Sequence, residues 1–300
     1  MKKYSEQDKR DYLFVSNDGV NFSKVPNIEI QGESSSGGGD PSIIYDTATG
    51  YFMIAYSNQD TSPNIQCFTI MRSKDLTNWE EHPISLTLPA SIQGWNKWAP
   101  DFFRGADNKL YVVFAADKTE GEFDFECLIT ECTDVENLTF SNPYIATVPN
   151  HNNAYDYSIR YYNGKYYMIC TDFGILKLYT SVDLNSFTLV NDNLMGDTAV
   201  SSFNAYKAIE GCNLEVVNNE LYAYFEYPNV SKYAVAIIDA GSYVIKNVKD
   251  LPCLNGYKHG SVTSISSAAA KDVISSVFTE QGADNFINPV PVSRLIMSLT

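Results

Sequence analysis

The sequence has little positive charge, few histidines and no long apolar run, and each shortage removes a class of function. Lys and Arg number 21 against 36 Asp and Glu, which leaves a net charge of −15 and a pI of about 4.5. Nucleic acid is not expected as a partner, because a phosphate backbone needs Lys and Arg to neutralise it. A neutral or cationic ligand fits better, and the acidity itself serves solubility. No stretch approaches the roughly 18 apolar residues that span a bilayer, so no membrane segment is expected. The opening MKKYSEQDKRDY has no apolar core of a signal peptide. That places the chain in the cytoplasm, or outside the cell if a signal has been removed. Six cysteines, at 67, 127, 132, 170, 212 and 253, form no CxxC pair and no metal-ligand spacing. Most sit in apolar runs such as FECLITEC and YYMICTD, where buried free thiols are expected. No nucleotide or redox-cofactor motif is found, so no cofactor is required. Helical periodicity is also missing. Only SSAAAKDVISS could be read as a helix, and its place in the repeat described next favours a hairpin.

What the sequence does have is Tyr and Phe, 21 and 16 residues, which favour strands. Tyr, with an apolar face and a polar tip, also suits a sugar-binding surface. One arrangement recurs five times: a polar residue, a short apolar strand, a turn and a second apolar strand. It starts at Asp40, Asp101, Asp156, Glu210 and His259, in steps of 61, 55, 54 and 49 residues. The turns carry Thr49-Gly50, Asp107-Asn108, Asn163-Gly164 and Asn218-Asn219, and Asn-Gly is a strong hairpin signal. A second pair of strands follows each hairpin, as in MRSKDLTNWEEH and LYTSVDLNSFTLV. An orphan copy, LFVSNDGVNFSKV, lies near the start and would complete the last unit. The expected fold is all-β: one five-bladed β-propeller domain over residues 1–300, with four-stranded antiparallel blades and the last blade closed by both termini. Closure of that kind protects sheet edges. The residue before each innermost strand should then converge at one mouth of the channel.

Carboxylates gathered in one place raise one another's pKa, a cost that a structural role alone would not explain. Glycoside hydrolysis needs such a group. One carboxyl protonates the leaving oxygen, and a second activates water or attacks the anomeric carbon. The acid's pKa must be raised for it to stay protonated near neutrality.

The motifs GDPSIIYD, WAPDFFRG, YDYSIRYYNGKYYM, AIEGCNLEVVNNELYAYF, RSKDLTNWE and KHGSV resemble those of glycoside hydrolase family 43. That family comprises inverting, five-bladed enzymes of plant-polysaccharide breakdown. The resemblance runs from about residue 11 to the end. It implies that Asp40 is the general base, Asp156 the group that tunes and orients the acid, and Glu210 the general acid. It implies that Asp101 lines the sugar subsite. His259 is similar to a fifth-blade histidine that faces a channel ion or water cluster, where a Ca2+ ion could be held through water. The third-blade motif has Tyr157 where the family usually has proline, and the fourth has Cys212 in such a place. Substrate preference is the property these changes touch. The implied activity is that of an arabinofuranosidase, arabinanase or xylosidase. The chain ends with its propeller, which leans toward arabinose.

Other residues near the mouth carry two readings each. Trp95 and Trp98 could stack on a sugar or pack between blades, with packing favoured for Trp98. Arg160 could hold a sugar hydroxyl or pair with a channel carboxylate, the ion pair being favoured. Tyr157 could hydrogen-bond substrate, and His259 could bind substrate or satisfy the channel. Phe203 and Asn204 could shape the pocket. A retaining β-fructosidase-like propeller and a glycan-binding propeller without catalysis are the competing readings. Sugar, linkage and oligomeric state are not fixed by the sequence.

Overall fold

The computed structural model describes residues 11–30, 39–57, 67–94, 96–119, 122–196, 208–280 and 294–299. Among them the strands form five antiparallel sheets. Sheet one holds Gly39–Tyr45, Phe52–Ser57, Phe68–Ser73 and Glu80–Ile84. Sheet two holds Lys97–Arg104, Leu110–Asp117, Phe125–Asp134 and Thr139–Phe140. Sheet three holds Ala154–Tyr162, Lys165–Asp172, Ile175–Ser181 and Thr188–Asn191. Sheet four holds Glu210–Val217, Glu220–Tyr227, Lys232–Asp239 and Val244–Asp250. Sheet five runs from Lys258–Ser264 through Arg294–Leu299 to Asp11–Ser16 and Phe22–Ile30. The first strand of each sheet touches the first strand of the next, and that of sheet five touches that of sheet one. This is an all-β propeller. No helix among the described residues is long and apolar enough to cross a membrane.

The hairpins sit where the turn residues place them. Asn163-Gly164 joins paired Tyr162 and Lys165, and Asn218-Asn219 joins paired Val217 and Glu220. All four of those turn residues have positive φ, as a two-residue turn matching strand twist requires. The outer turns repeat as well. In SKDLTN, Ser73 Oγ accepts the amides of Asp75 and Leu76, while Asp75 Oδ1 accepts those of Thr77 and Asn78. Ser16 with Asp18 and Ser181 with Asp183 do the same. The residue after each Asp is left-handed, and in sheet five it is Gly19, where a Cβ would meet the Tyr224 hydroxyl at 2.7 Å.

Three expectations are corrected. SSAAAKDVISS is not a hairpin strand, since Ala268–Glu280 is an α-helix. Ser267 accepts the Ala270 amide at its start, and Ala270, Ile274 and Val277 share one buried face. That face packs on Val25, Ile28 and Ile265, and the i, i+4, i+7 spacing is helical. The second strand of sheet five comes only after it, at Arg294–Leu299. Sheet two also gains an extra strand, Tyr144–Ile145, paired with Phe125–Asp134.

The third correction concerns register. Each innermost strand loses its pairing once near its start. The residue at that break has positive φ in every sheet: Asp40, Ala99, Asp156, Gly211 and His259. Sheet two therefore presents Ala99 where the others present Asp40, Asp156 and His259. Asp101 lies two residues deeper, level with Ser42, Ser158, Asn213 and Ser261. Glu210 lies one residue before the break.

The deeper level forms a belt. Ser42 Oγ accepts the Phe102 amide at 3.0 Å, and Ser158 Oγ the Leu214 amide at 2.8 Å. Asn213 Oδ1 accepts the Val262 amide at 2.9 Å, and Ser261 Oγ the Ile43 amide at 2.7 Å. Each bond ties one sheet to the next at the same height, and the last joins sheet five to sheet one. Replacing Ser261 with Ala leaves the buried Ile43 amide without its acceptor. Such a group costs about 1–3 kcal/mol, so Ser261→Ala should lower the unfolding free energy by that amount, seen as a lower urea midpoint at unchanged m-value.

Candidate active site

The broken pairing turns the positive-φ residues toward the axis, where they line a pocket. Asp40, Asp156 and His259 meet there. His259 Nε2 lies 3.5 Å from Asp40 Oδ1 and 3.6 Å from Asp156 Oδ2. Asp40 Oδ2 accepts the Ser57 hydroxyl at 2.6 Å, and Ser57 Oγ accepts the Ala99 amide at 2.7 Å. Asp156 Oδ2 accepts the Gly211 amide at 2.7 Å. Gly211 has a φ of +58°, and a Cβ on it would press on His259 Cδ2 at 3.2 Å. The Gly of the EG motif is thus required twice, by its own backbone and by the ring beside it. Cys212, in the place of the expected proline, bonds the Asp156 carbonyl through Sγ.

Burial pushes Glu210 upward, and Asp156 and Glu226 add to this, while His259 and Lys258 oppose it. Burial also raises Asp156, with Asp40 adding and His259 and the Gly211 amide opposing. Burial would lower His259, but Asp40, Asp156 and Glu226 hold it well above the ordinary histidine range. A carboxylic acid kept protonated beside an ionised carboxylate is the requirement of acid–base bond cleavage.

The sequence-predicted residues divide. Asp101, expected to line the sugar subsite, lies at the pocket with Asp40 and Asp156, with its carboxylate taken up by protein partners. It is buried, accepts the hydroxyls of Ser42 and Ser158 at 2.7 Å each, and accepts Asn213 Nδ2 at 3.2 Å. Arg160 joins it at 2.8 Å and reaches Glu215 at 2.8 Å, so it is the ion pair and not a sugar ligand. Tyr157 does not reach substrate with its side chain, which is 1% exposed in the packing between sheets two and three. Trp98 packs on Phe123, Phe125 and Tyr155. Trp95, Phe203 and Asn204 lie outside the described residues. All six cysteines are free, five of them buried and Cys253 exposed.

Two residues at the site escaped the sequence reading. Ser57 ends a buried strand next to Asp40. Glu226 lies opposite Glu210 on the neighbouring strand, 1% exposed, with Oε1 3.0 Å from His259 Nδ1. An acid inside the aromatic run YAYFEY is the signal that could have marked it.

Ligand atoms of Glu210, Glu226 and His259 come within 4.8 Å of one another. Yet both ring nitrogens of His259 lie near carboxylates, Nδ1 at 3.0 Å from Glu226 and Nε2 at 3.5 and 3.6 Å from Asp40 and Asp156. Those carboxylates hold the ring well above the ordinary histidine range, and a ring protonated on both nitrogens offers no lone pair, so the residues as arranged do not fit an ion bound directly by His259.

Among curated proteins none matches this sequence. The family model described as glycosyl hydrolases family 43 matches residues 35–156, which hold Asp40, the WAPD motif and Asp156. An α-L-arabinofuranosidase from Lactobacillus brevis is similar in fold, with TM-score 0.56 and 16% identity over 87% of this chain and 90% of that one. An exo-β-1,3-galactanase from Clostridium thermocellum gives TM-score 0.58 and 14% identity over 85% and 56%. A family 32 β-fructofuranosidase from Bombyx mori gives 0.54 and 14% over 87% and 56%. At these identities the structures bear on the fold, the propeller, and the family match over residues 35–156 supports a glycosidase.

Two substitutions separate support from site. Asp101→Asn removes the charge opposite buried Arg160, and breaking such a pair costs about 3–5 kcal/mol. Urea unfolding should register that loss; a raised KM at wild-type stability would instead mark a sugar contact. Gly211→Ala strains the left-handed backbone and displaces His259, and a misplacement of this kind should lower kcat about 10- to 100-fold in steady-state assays.

Proposed function

We propose that this chain, with its family 43 match over residues 35–156, is a glycosidase that cleaves arabinose- or xylose-containing glycans with inversion. In this reading the five sheets are five blades, the last closed by strands from both ends of the sequence. The pairing of Asp11–Ser16 with Arg294–Leu299 supports that closure. The observation that carries the chemistry is the meeting of Asp40 and Asp156 at His259, with Glu210 one residue from the Gly211 amide that holds Asp156.

Glu210, pushed upward by burial, keeps its proton and gives it to the glycosidic oxygen as the bond breaks. Asp40 takes a proton from water as that water attacks the anomeric carbon from the opposite face. The Ser57 hydroxyl and His259 Nε2 aim the two oxygens of Asp40. Asp156 lies buried beside the acid and adds to its upward shift. Because Glu210 must be protonated, activity should fall as pH rises through its raised pKa. Glu210→Gln should abolish that alkaline limb.

The arabinose preference rests on the family resemblance and on the arabinofuranosidase likeness in fold. The fructofuranosidase likeness keeps a retaining mechanism as the second reading. Turnover of nitrophenyl glycosides and arabino- and xylo-oligosaccharides by the wild type names the sugar. Asp40→Asn and Glu210→Gln should each lose about 10²- to 10⁴-fold in kcat, the usual contribution of one acid or base. Proton NMR of the first product anomer should show inversion; retention selects the fructosidase-like reading. No turnover on any glycan, with binding retained, overturns the enzyme.

A further inference from the structure

Glu226 has no part in the acid–base scheme, yet its burial demands an explanation. Its carboxylate is 1% exposed, and among the described residues neither oxygen accepts a hydrogen bond, from His259 or from any other group. A carboxylate left so in a protein interior costs several kcal/mol unless a cation faces it. The group it faces is His259, at 3.0 Å from Nδ1. The other ring nitrogen stands between Asp40 at 3.5 Å and Asp156 at 3.6 Å. A neutral ring would turn a lone pair toward one of these carboxylates, whereas a ring protonated on both nitrogens sets a positive charge beside all three. The remaining flank is closed by Gly211, whose missing Cβ leaves room for the ring.

We propose that Glu226 is a positioning residue that acts through His259, anchoring Nδ1 so that Nε2–H is held between the Asp40 and Asp156 carboxylates. The contact fixes the height and tilt of the ring. It also keeps a positive charge between two acids that would otherwise repel each other. The charged groups around the ring are Asp40 from sheet one, Asp156 from sheet three, Glu210 and Glu226 from sheet four, and Lys258 on its own strand. Glu226 belongs to the second strand of its sheet, opposite Glu210. It is therefore placed to act on the ring and, more weakly, on the acid. The effect on turnover rests on the hydrolase reading above, but the state of the ring does not.

The test pairs NMR with kinetics. The chain has three histidines, so 15N-imidazole signals can be assigned to His259 by their loss in His259→Asn. In the wild type both His259 nitrogens should still carry protons at a pH where an ordinary histidine has lost its charge. In Glu226→Gln the ring should deprotonate at lower pH, and kcat should drop about tenfold with KM little changed. Glu226→Asp, which keeps the charge with a shorter reach, should recover part of both. It also serves as the variant of record if Glu226→Gln fails to fold in a thermal melt. A wild-type ring that is neutral at pH 7 overturns the proposal. So does a ring whose titration is unchanged in Glu226→Gln, or unchanged in Glu226→Asp where that variant stands alone. Loss of the imidazolium signal on adding Ca2+ to the wild type, restored by chelator, would overturn it too, since the pair would then be a cation site. If no glycan is turned over, the NMR arm alone decides for or against the ring contact, and the hydrolase reading fails separately.

Discussion

The height at which each innermost strand meets its neighbour governs the rest of this molecule. Side chains two residues past the break in pairing set that height. Ser42, Ser158, Asn213 and Ser261 each accept a backbone amide from the next sheet. A one-residue slip in a strand turns every side chain to the opposite face, so a belt that fixes height also fixes which residues point into the pocket. Sheet two departs from the pattern. Its belt residue is Asp101, which draws the belt residues Ser42, Ser158 and Asn213 onto one carboxylate. Arg160 and Glu215 complete a buried charge network below the mouth.

On that base stands a ring of strained backbone. Asp40, Ala99, Asp156 and His259 hold positive φ without being glycine, a conformation that costs roughly 1–2 kcal/mol per residue. Strain of this sort persists only where the surroundings over-determine it, and the belt does so here. The strained turns carry the two aspartates and the histidine into contact. Three carboxylates then surround one imidazole, and the cation offsets the repulsion among them. The conformational strain and the charge crowding are two sides of one arrangement, since the first places the groups that create the second.

Much of the fold could be read from the sequence because its signals are local. Hairpin residues such as Asn163-Gly164 and the repeated Ser-x-Asp turns dictate their own geometry. The orphan strand pair near the start could be assigned to the last unit because the repeat was one pair short. The helix at Ala268–Glu280 escaped because the repeat was allowed to outweigh an alanine-rich segment, although Ala270, Ile274 and Val277 had helical spacing. The site was legible in its members and not in its levels. Aligning units on their acids put Asp101 and Glu210 level with Asp40. Aligning Pro41 with Pro100 would have placed Ala99 there and sent Asp101 into the belt. Tyr157 and Glu226 illustrate the limit of local reading: one is buried and the other joins the site only through long-range packing.

The central claim is that Glu210 delivers the proton to the leaving oxygen. A series of aryl glycosides of graded leaving-group acidity tests it most directly, with wild type and Glu210→Gln compared at one pH. If Glu210 is the acid, the deficit of the variant should shrink steadily as the leaving group becomes more acidic, because a good leaving group needs no proton. A deficit of the same size across the series would contradict the assignment and leave Glu210 as a structural or binding carboxylate.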